Sequence, residues 1–105
     1  MSAAAAGLLR ALLARAGEPR DRILLTELRS VEWQSLTFIG ERHAVAFRLV
    51  GPGSKDILDR LVSGLSDAEF AIPGHIVADI ALSGPPRHDD EGAITIELEA
   101  LTIAE

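Results

Sequence analysis

The stretch from Trp33 to Val50, WQSLTFIGERHAVAFRLV, contains two alternating apolar runs separated by a polar segment. Such alternation is typical of β-strands with one buried face, because successive side chains point to opposite sides. We predict a β-hairpin with its turn at Gly40 to His43, against which the remaining chain folds. The side chains predicted on its buried face are Leu36, Phe38, Val45, Phe47 and Leu49.

Two amphipathic helices are predicted, one before the hairpin and one after it. Ser2 is a suitable N-cap for the first, and Gly17 and Pro19 end it. Gly51-Pro52-Gly53 interrupts the sheet, and Ser54 is the expected N-cap of the second helix. Their apolar stripes share the spacing i, i+1, i+4, i+5: Leu8, Leu9, Leu12 and Leu13, then Ile57, Leu58, Leu61 and Val62.

Four strands are expected. The first two are Arg22 to Ile39, with a bulge near Ser30, and Ala44 to Val50. The third, His75 to Ser83, alternates with Ile76, Ala78, Ile80 and Leu82 inward. A flexible polar connection over residues 83–92 leads to the fourth, residues 93–104, where the alternation changes phase near Leu101.

The predicted fold is a single α+β domain over residues 1–105, a two-layer sandwich with the order α-β-β-α-β-β. Two helices cover one face of a four-stranded antiparallel sheet. Residues 24–28 resemble residues 76–80, which suggests two αββ repeats over 1–50 and 51–105. Trp33 and Ile39 are expected on the uncovered face.

This element order resembles that of protease prodomains and some small ribosome-associated domains, and it is similar to a permuted ferredoxin-like arrangement. KH-type RNA-binding domains have a related topology, but their GxxG loop is missing here. ACT-like regulatory domains begin with a strand instead of a helix. The resemblance is therefore one of element order, which does not determine function.

The composition favours a protein with a covered apolar surface. Hydrophobic residues make up 48% of the chain, mean hydropathy is +0.22, and a small domain has much surface to keep polar. The absence of cysteine excludes disulfides and thiolate sites and favours the cytoplasm. Nine arginines against one lysine resemble the codon bias of a GC-rich bacterial genome. Neither a secretory signal nor a membrane span is predicted, since Arg10 and Arg15 interrupt the N-terminal apolar run.

Charge is unevenly distributed along the chain. The net charge is −6, but residues 1–50 carry seven arginines against five acids, whereas residues 51–105 carry three basic residues against eleven acids. Clustered cations, which phosphate backbones require, are absent from the sequence, so no nucleic-acid partner is expected. The asymmetry between the halves suggests instead that two copies align head to tail.

The candidate ligand or partner contacts are Glu41, Arg42, His43, Trp33 and His75. Arg42 and His43 at a hairpin tip could meet an anion or simply face water. Trp33 could pack in the core or at a dimer interface, or stack on a ligand, and His75 could bond a loop carbonyl or cap the neighbouring turn. No catalytic motif, metal site or cofactor is predicted. Glu27 and Asp79 occupy matching repeat positions, which would allow a paired-carboxylate site if they met.

We therefore expect a non-enzymatic module that forms a homodimer or binds a protein partner through its sheet face or a strand edge. The alternative from the same residues is a domain that binds a small anionic molecule through Arg42 and His43.

Overall fold

A hairpin of two long strands is the centre of the fold. In the computed structural model, which describes all 105 residues, β1 (Ile23–Gln34) and β2 (Ile39–Leu49) pair antiparallel. The turn lies at residues 35–38, so the predicted turn at Gly40 to His43 is wrong. Ser35 accounts for this position, because its hydroxyl accepts a hydrogen bond from the Phe38 N–H at 3.1 Å and its own N–H donates to the Phe38 carbonyl at 2.9 Å.

The shifted turn changes which side chains the hairpin buries. Val45, Phe47 and Leu49 are buried as predicted, but Leu36 is fully exposed at 103% and Phe38 is 51% exposed. Both residues continue the alternation of apolar and polar residues along the chain, and this alternation predicts that they belong to a strand. That part of the predicted core is wrong.

The sheet is antiparallel and has five strands, not four. β3 (His75–Leu82) and β5 (Ile94–Ala104) form a second hairpin, and the spatial order is β1-β2-β5-β3. The short strand β4 (Arg87–His88) pairs with the beginning of β5. The connection over residues 83–92, predicted to be flexible, therefore contributes a strand. Asp89 stabilises the turn after β4 by accepting hydrogen bonds from the N–H groups of Glu91 and Ala93.

Two α-helices supply the other layer of the core: α1 (Ala3–Ala16) and α2 (Ser54–Val62). Ser2 caps α1 by accepting a hydrogen bond from the Ala5 N–H at 3.0 Å, as its sequence position predicted. Short 3₁₀ turns occupy Arg20–Arg22 and Leu65–Asp67. No helix is long and apolar enough to cross a membrane. The largest fully buried side chains of the single core are Leu8, Leu12, Phe47, Leu49, Ile57, Leu61, Ile96 and Leu98.

A β-bulge in each edge strand, β1 and β3, changes which face of the sheet the residues after it point to. The pairing register shifts between Leu25 and Glu27 in β1 and between Val77 and Asp79 in β3. The predicted bulge near Ser30 is therefore wrong. β5 pairs with β2 without a shift, so the change of apolar phase near Leu101 occurs without a bulge, and Leu101 and Ile103 point away from the helices. The two bulges fall 52 residues apart, which is the offset of the internal similarity. Duplication over 1–50 and 51–105 stays a prediction.

The sheet side opposite the helices is called the open face below. Side-chain alternation and the observed register place Trp33 on it. Ile39, also predicted there, lies on the helix side at the beginning of β2, where it is 66% exposed. The open-face residues are Leu24, Glu27, Arg29, Val31, Trp33, Gly40, Arg42, Ala44, Ala46, Arg48, Ile76, Asp79, Ala81, Thr95, Glu97, Glu99, Leu101 and Ile103.

Candidate functional site

Charges of opposite sign are separated across the open face. The β1–β2 half, called the arginine half, presents Arg29, Arg42 and Arg48 and one carboxylate, Glu27. The β5–β3 half, called the acidic half, presents Asp79, Glu97 and Glu99. Each sequence half contributes one hairpin to the sheet, so the charge asymmetry along the chain becomes a charge asymmetry across one surface.

Some of these charges are paired within the chain. Arg48 contacts Asp89 at 2.5 Å, and Arg87 of β4 contacts Glu97 at 2.7 Å. The hydrogen bond from Arg48 lowers the pKa of the Asp89 carboxyl below its usual range. The loop around β4 thus neutralises one charge in each half of the open face.

The remaining charges near the middle of the face lack such partners. Arg42, Asp79 and Glu99 form no ion pair in the structure, and Arg29 only approaches Glu27, at 4.0 Å. These three charged residues and Arg29 line a shallow depression of about 190 Å³. The surface is consequently rich in charge that is free to pair with an external group.

An apolar row lies beside this depression. The register aligns Trp33 with Gly40, Gly40 with Ile103, and Ile103 with Ile76, across all four long strands. Ile76 is 52% exposed, and Trp33 and Ile103 are half-buried. The guanidinium of Arg42 lies 5.9 Å from the centre of the Trp33 ring, within cation–π range. Two of the predicted contact residues, Arg42 and Trp33, are therefore neighbours on one face.

The structure separates the other two residues of the predicted tip from Arg42. Glu41 and His43 lie within β2, on the helix side of the sheet. Glu41 accepts a hydrogen bond from the Ser2 hydroxyl at 2.7 Å and so connects β2 to the beginning of α1. His43 is buried, with 2% of its surface exposed. The expectation that Arg42 and His43 face one ligand together is wrong, because adjacent strand residues point to opposite sides.

His43 is part of a buried polar chain. Its Nδ1 lies 2.7 Å from the Ser30 hydroxyl and its Nε2 lies 2.8 Å from the Thr102 hydroxyl. Burial lowers the pKa of the imidazole, with Glu41 opposing the shift and His75 adding to it. A serine bonded to histidine is also the arrangement of a nucleophile and its base, but here a threonine occupies the position where a carboxylate would orient the ring. We interpret the chain as a structural link between β1, β2 and β5.

His75 lies at the start of β3, where its Nδ1 is 3.1 Å from the Pro73 carbonyl oxygen. It is therefore engaged by its own turn. The Glu27–Asp79 carboxylate pair considered from the sequence does not form, because β1 and β3 are at opposite edges of the sheet. No group of three or more histidine, aspartate or glutamate residues is arranged to hold a metal ion.

Sequence reasoning missed the contribution of Arg29, Asp79 and Glu99 to one surface. The signal is present in part, since each is a charged residue between apolar neighbours in a predicted strand, a pattern typical of a side that faces away from the core. Their common location needed the strand order, which brings β3 beside β5. Comparisons of the chain with protein-family models, with curated proteins and with solved structures gave no match.

Proposed function

We propose that this chain is a protein-interaction module that self-associates through the open face of its sheet. The observation that carries the proposal is the combination on one surface of unpaired charges of both signs and an apolar row. Interfaces between proteins combine an apolar centre with complementary charges in this way. The high hydrophobic fraction of the sequence also supports a covered surface.

The proposal is tested by measuring molecular mass with light scattering across a dilution series. Ala44→Glu places a second carboxylate in the centre of the open face, next to Glu99 in the register. We expect wild type to dimerise with concentration and Ala44→Glu to remain monomeric. Thr37→Glu adds the same charge in the exposed turn and is the matched control, expected to dimerise like wild type.

Two results would count against this function. A wild-type chain that is monomeric at every concentration removes self-association. A dimer that is unchanged in Ala44→Glu locates the interface outside the open face, for instance at the edge of β1.

Binding of a small anion is a second candidate, favoured by the depression that Arg29 and Arg42 share. Two neighbouring guanidinium groups can hold a carboxylate or phosphate. Inorganic phosphate and citrate are suitable probes, and binding would raise the melting temperature of wild type but not of Arg42→Ala. Equal melting temperatures with and without both probes would exclude this reading.

A further inference from the structure

We propose that two copies of this chain stack through their open faces about a two-fold axis that runs parallel to β2 and β5 and between them. This inference rests on the proposed function and names both its partner and its geometry. It begins from the charges, since the arginine half and the acidic half lie on opposite sides of the line between β2 and β5.

Symmetry leaves two simple ways to stack one sheet face on another copy of itself. An axis perpendicular to the strands would place β1 over β1 and β3 over β3, so that each charged half would face its own sign. An axis parallel to the strands places β2 over β5 and β1 over β3 of the second copy. Only the parallel axis brings arginines opposite carboxylates, which attract where like charges would repel.

The apolar row supports the same axis. After rotation about this axis, the apolar row faces the same row of the second copy in reverse order. Trp33 therefore lies opposite Ile76 of the partner subunit. Ile103 then lies opposite the buried backbone of Gly40 of the partner subunit. Apolar side chains along this row thus face apolar side chains or backbone of the second copy, as packing between sheets about 10 Å apart favours.

The neighbouring rows bring the free charges together. One row contains Val31, Arg42, Leu101 and Asp79, and the next contains Arg29, Ala44, Glu99 and Ala81. After rotation, Arg42 lies opposite the partner's Leu101, flanked by the partner's Asp79 and Glu99. All four unpaired or weakly paired charges around the depression acquire partners of opposite sign in each copy.

The available surface matches this arrangement. Four strands of 12, 11, 11 and 8 residues, about 4.8 Å apart and with about 3.4 Å per residue, outline an area of roughly 700 Å². Standard interfaces bury about 800 Å² of accessible surface per partner, and a corrugated face exceeds its flat outline. We therefore expect a dimer that uses the whole open face, depends on protein concentration and weakens as salt screens its ion pairs.

A charge-exchange experiment tests the axis directly. The variant Arg29→Glu/Arg42→Glu has two acidic halves, and the variant Asp79→Arg/Glu99→Arg has two basic halves. Each alone faces like charges across the proposed interface, so we expect its dissociation constant to rise by at least about tenfold over wild type. An equimolar mixture should recover a dimer, because each half then faces the opposite sign.

Masses are measured by light scattering, and circular dichroism checks that every variant is folded. The pair Arg10→Glu and Asp90→Arg, exposed and outside the open face, serves as control and should dimerise like wild type. Folded variants that do not associate when mixed, or that dimerise separately as well as wild type, would overturn the axis. If wild type dimerises and Ala44→Glu does not, the proposed function stands even where the axis fails.

Discussion

Arg15 and Arg60 each bind the end of the other's helix. Near the end of α1, Arg15 donates from Nε to the Leu61 carbonyl at 2.9 Å and from its Nη2 to the Ser63 carbonyl. Near the end of α2, Arg60 donates to the carbonyls of Ala16 and Glu18 at 2.6 and 2.8 Å. The last carbonyls of a helix lack internal partners and carry partial negative charge, so each guanidinium satisfies and stabilises the neighbouring end.

Because Arg60 donates hydrogen bonds to the carbonyls at the end of α1, we expect Arg60→Ala to lower the free energy of unfolding by about 1 to 2 kcal/mol. Arg60→Lys should recover only part of this loss, since an ammonium group lacks the two-pronged donor geometry of guanidinium. Urea denaturation followed by circular dichroism provides the measurement. Arg10→Ala removes an exposed arginine of the same helical layer and should change the free energy little; an equal loss in both variants would contradict the capping role.

Burial of His43 makes stability depend on pH. Its pKa in the folded chain lies below the ordinary value of 6.5, mainly because burial disfavours the charged ring. As the pH falls below 6.5, the unfolded chain binds a proton that the folded chain does not, so the free energy of unfolding falls. The contribution of His43 is therefore fully present above this pH and is lost on acidification.

This dependence is tested by urea denaturation between pH 7.5 and 5. Wild type should lose up to about 1.4 kcal/mol per pH unit more than His43→Gln, whose amide retains a donor and an acceptor but does not titrate. If the free energy of unfolding depended on pH in the same way for wild type and His43→Gln, burial of His43 would not be the cause of the pH dependence.

Gly40 is required where β2 and β5 approach each other. A Cβ atom at this position would lie 2.0 Å from the Thr102 backbone oxygen, which cannot move without distorting β5. We expect Gly40→Ala to cost about 1 to 3 kcal/mol in thermal or chemical denaturation. A Cβ at Gly84 meets no atom within 4 Å, so Gly84→Ala should be nearly neutral. Neutral Gly40→Ala would imply a different pairing of these strands.

Because the first turn lies at residues 35–38, substitutions at two apolar residues are expected to change the free energy of unfolding by very different amounts. Leu36→Asp should change the free energy of unfolding by less than about 0.5 kcal/mol, because the side chain is fully exposed. Phe47→Ala should cost about 3 to 5 kcal/mol, because the ring is fully buried and its loss leaves a cavity. A large loss for Leu36→Asp would instead favour the turn at Gly40 to His43.

The helices were the most predictable part of the fold. Ser2 and the stripe containing Leu8 and Leu12 mark α1, and the structure caps and buries them as expected. Helical hydrogen bonds and caps join residues close in sequence, so a local pattern contains the information. The alternation of Val45, Phe47 and Leu49 was equally informative, since it reports directly which side of the strand is buried.

The turn and bulges were less predictable. Leu36 and Phe38 continue an apolar alternation but belong to the turn, and the bulges lie between Leu25 and Glu27 and between Val77 and Asp79. A single inserted residue reverses the facing of every residue after it, and the choice of where to insert depends on packing against the neighbouring strand. That information lies in another part of the chain.

The class of the protein, an antiparallel sheet with two amphipathic helices, follows from the amino-acid pattern alone, because burial imposes periods that the residues display locally. The charge asymmetry between residues 1–50 and 51–105 is likewise present in the sequence. The shared surface of Arg42, Asp79 and Glu99, with His43 buried beneath it, arises only when the strands are assembled into the sheet. Strand order and register are set by long-range packing, and they determine which distant side chains become neighbours.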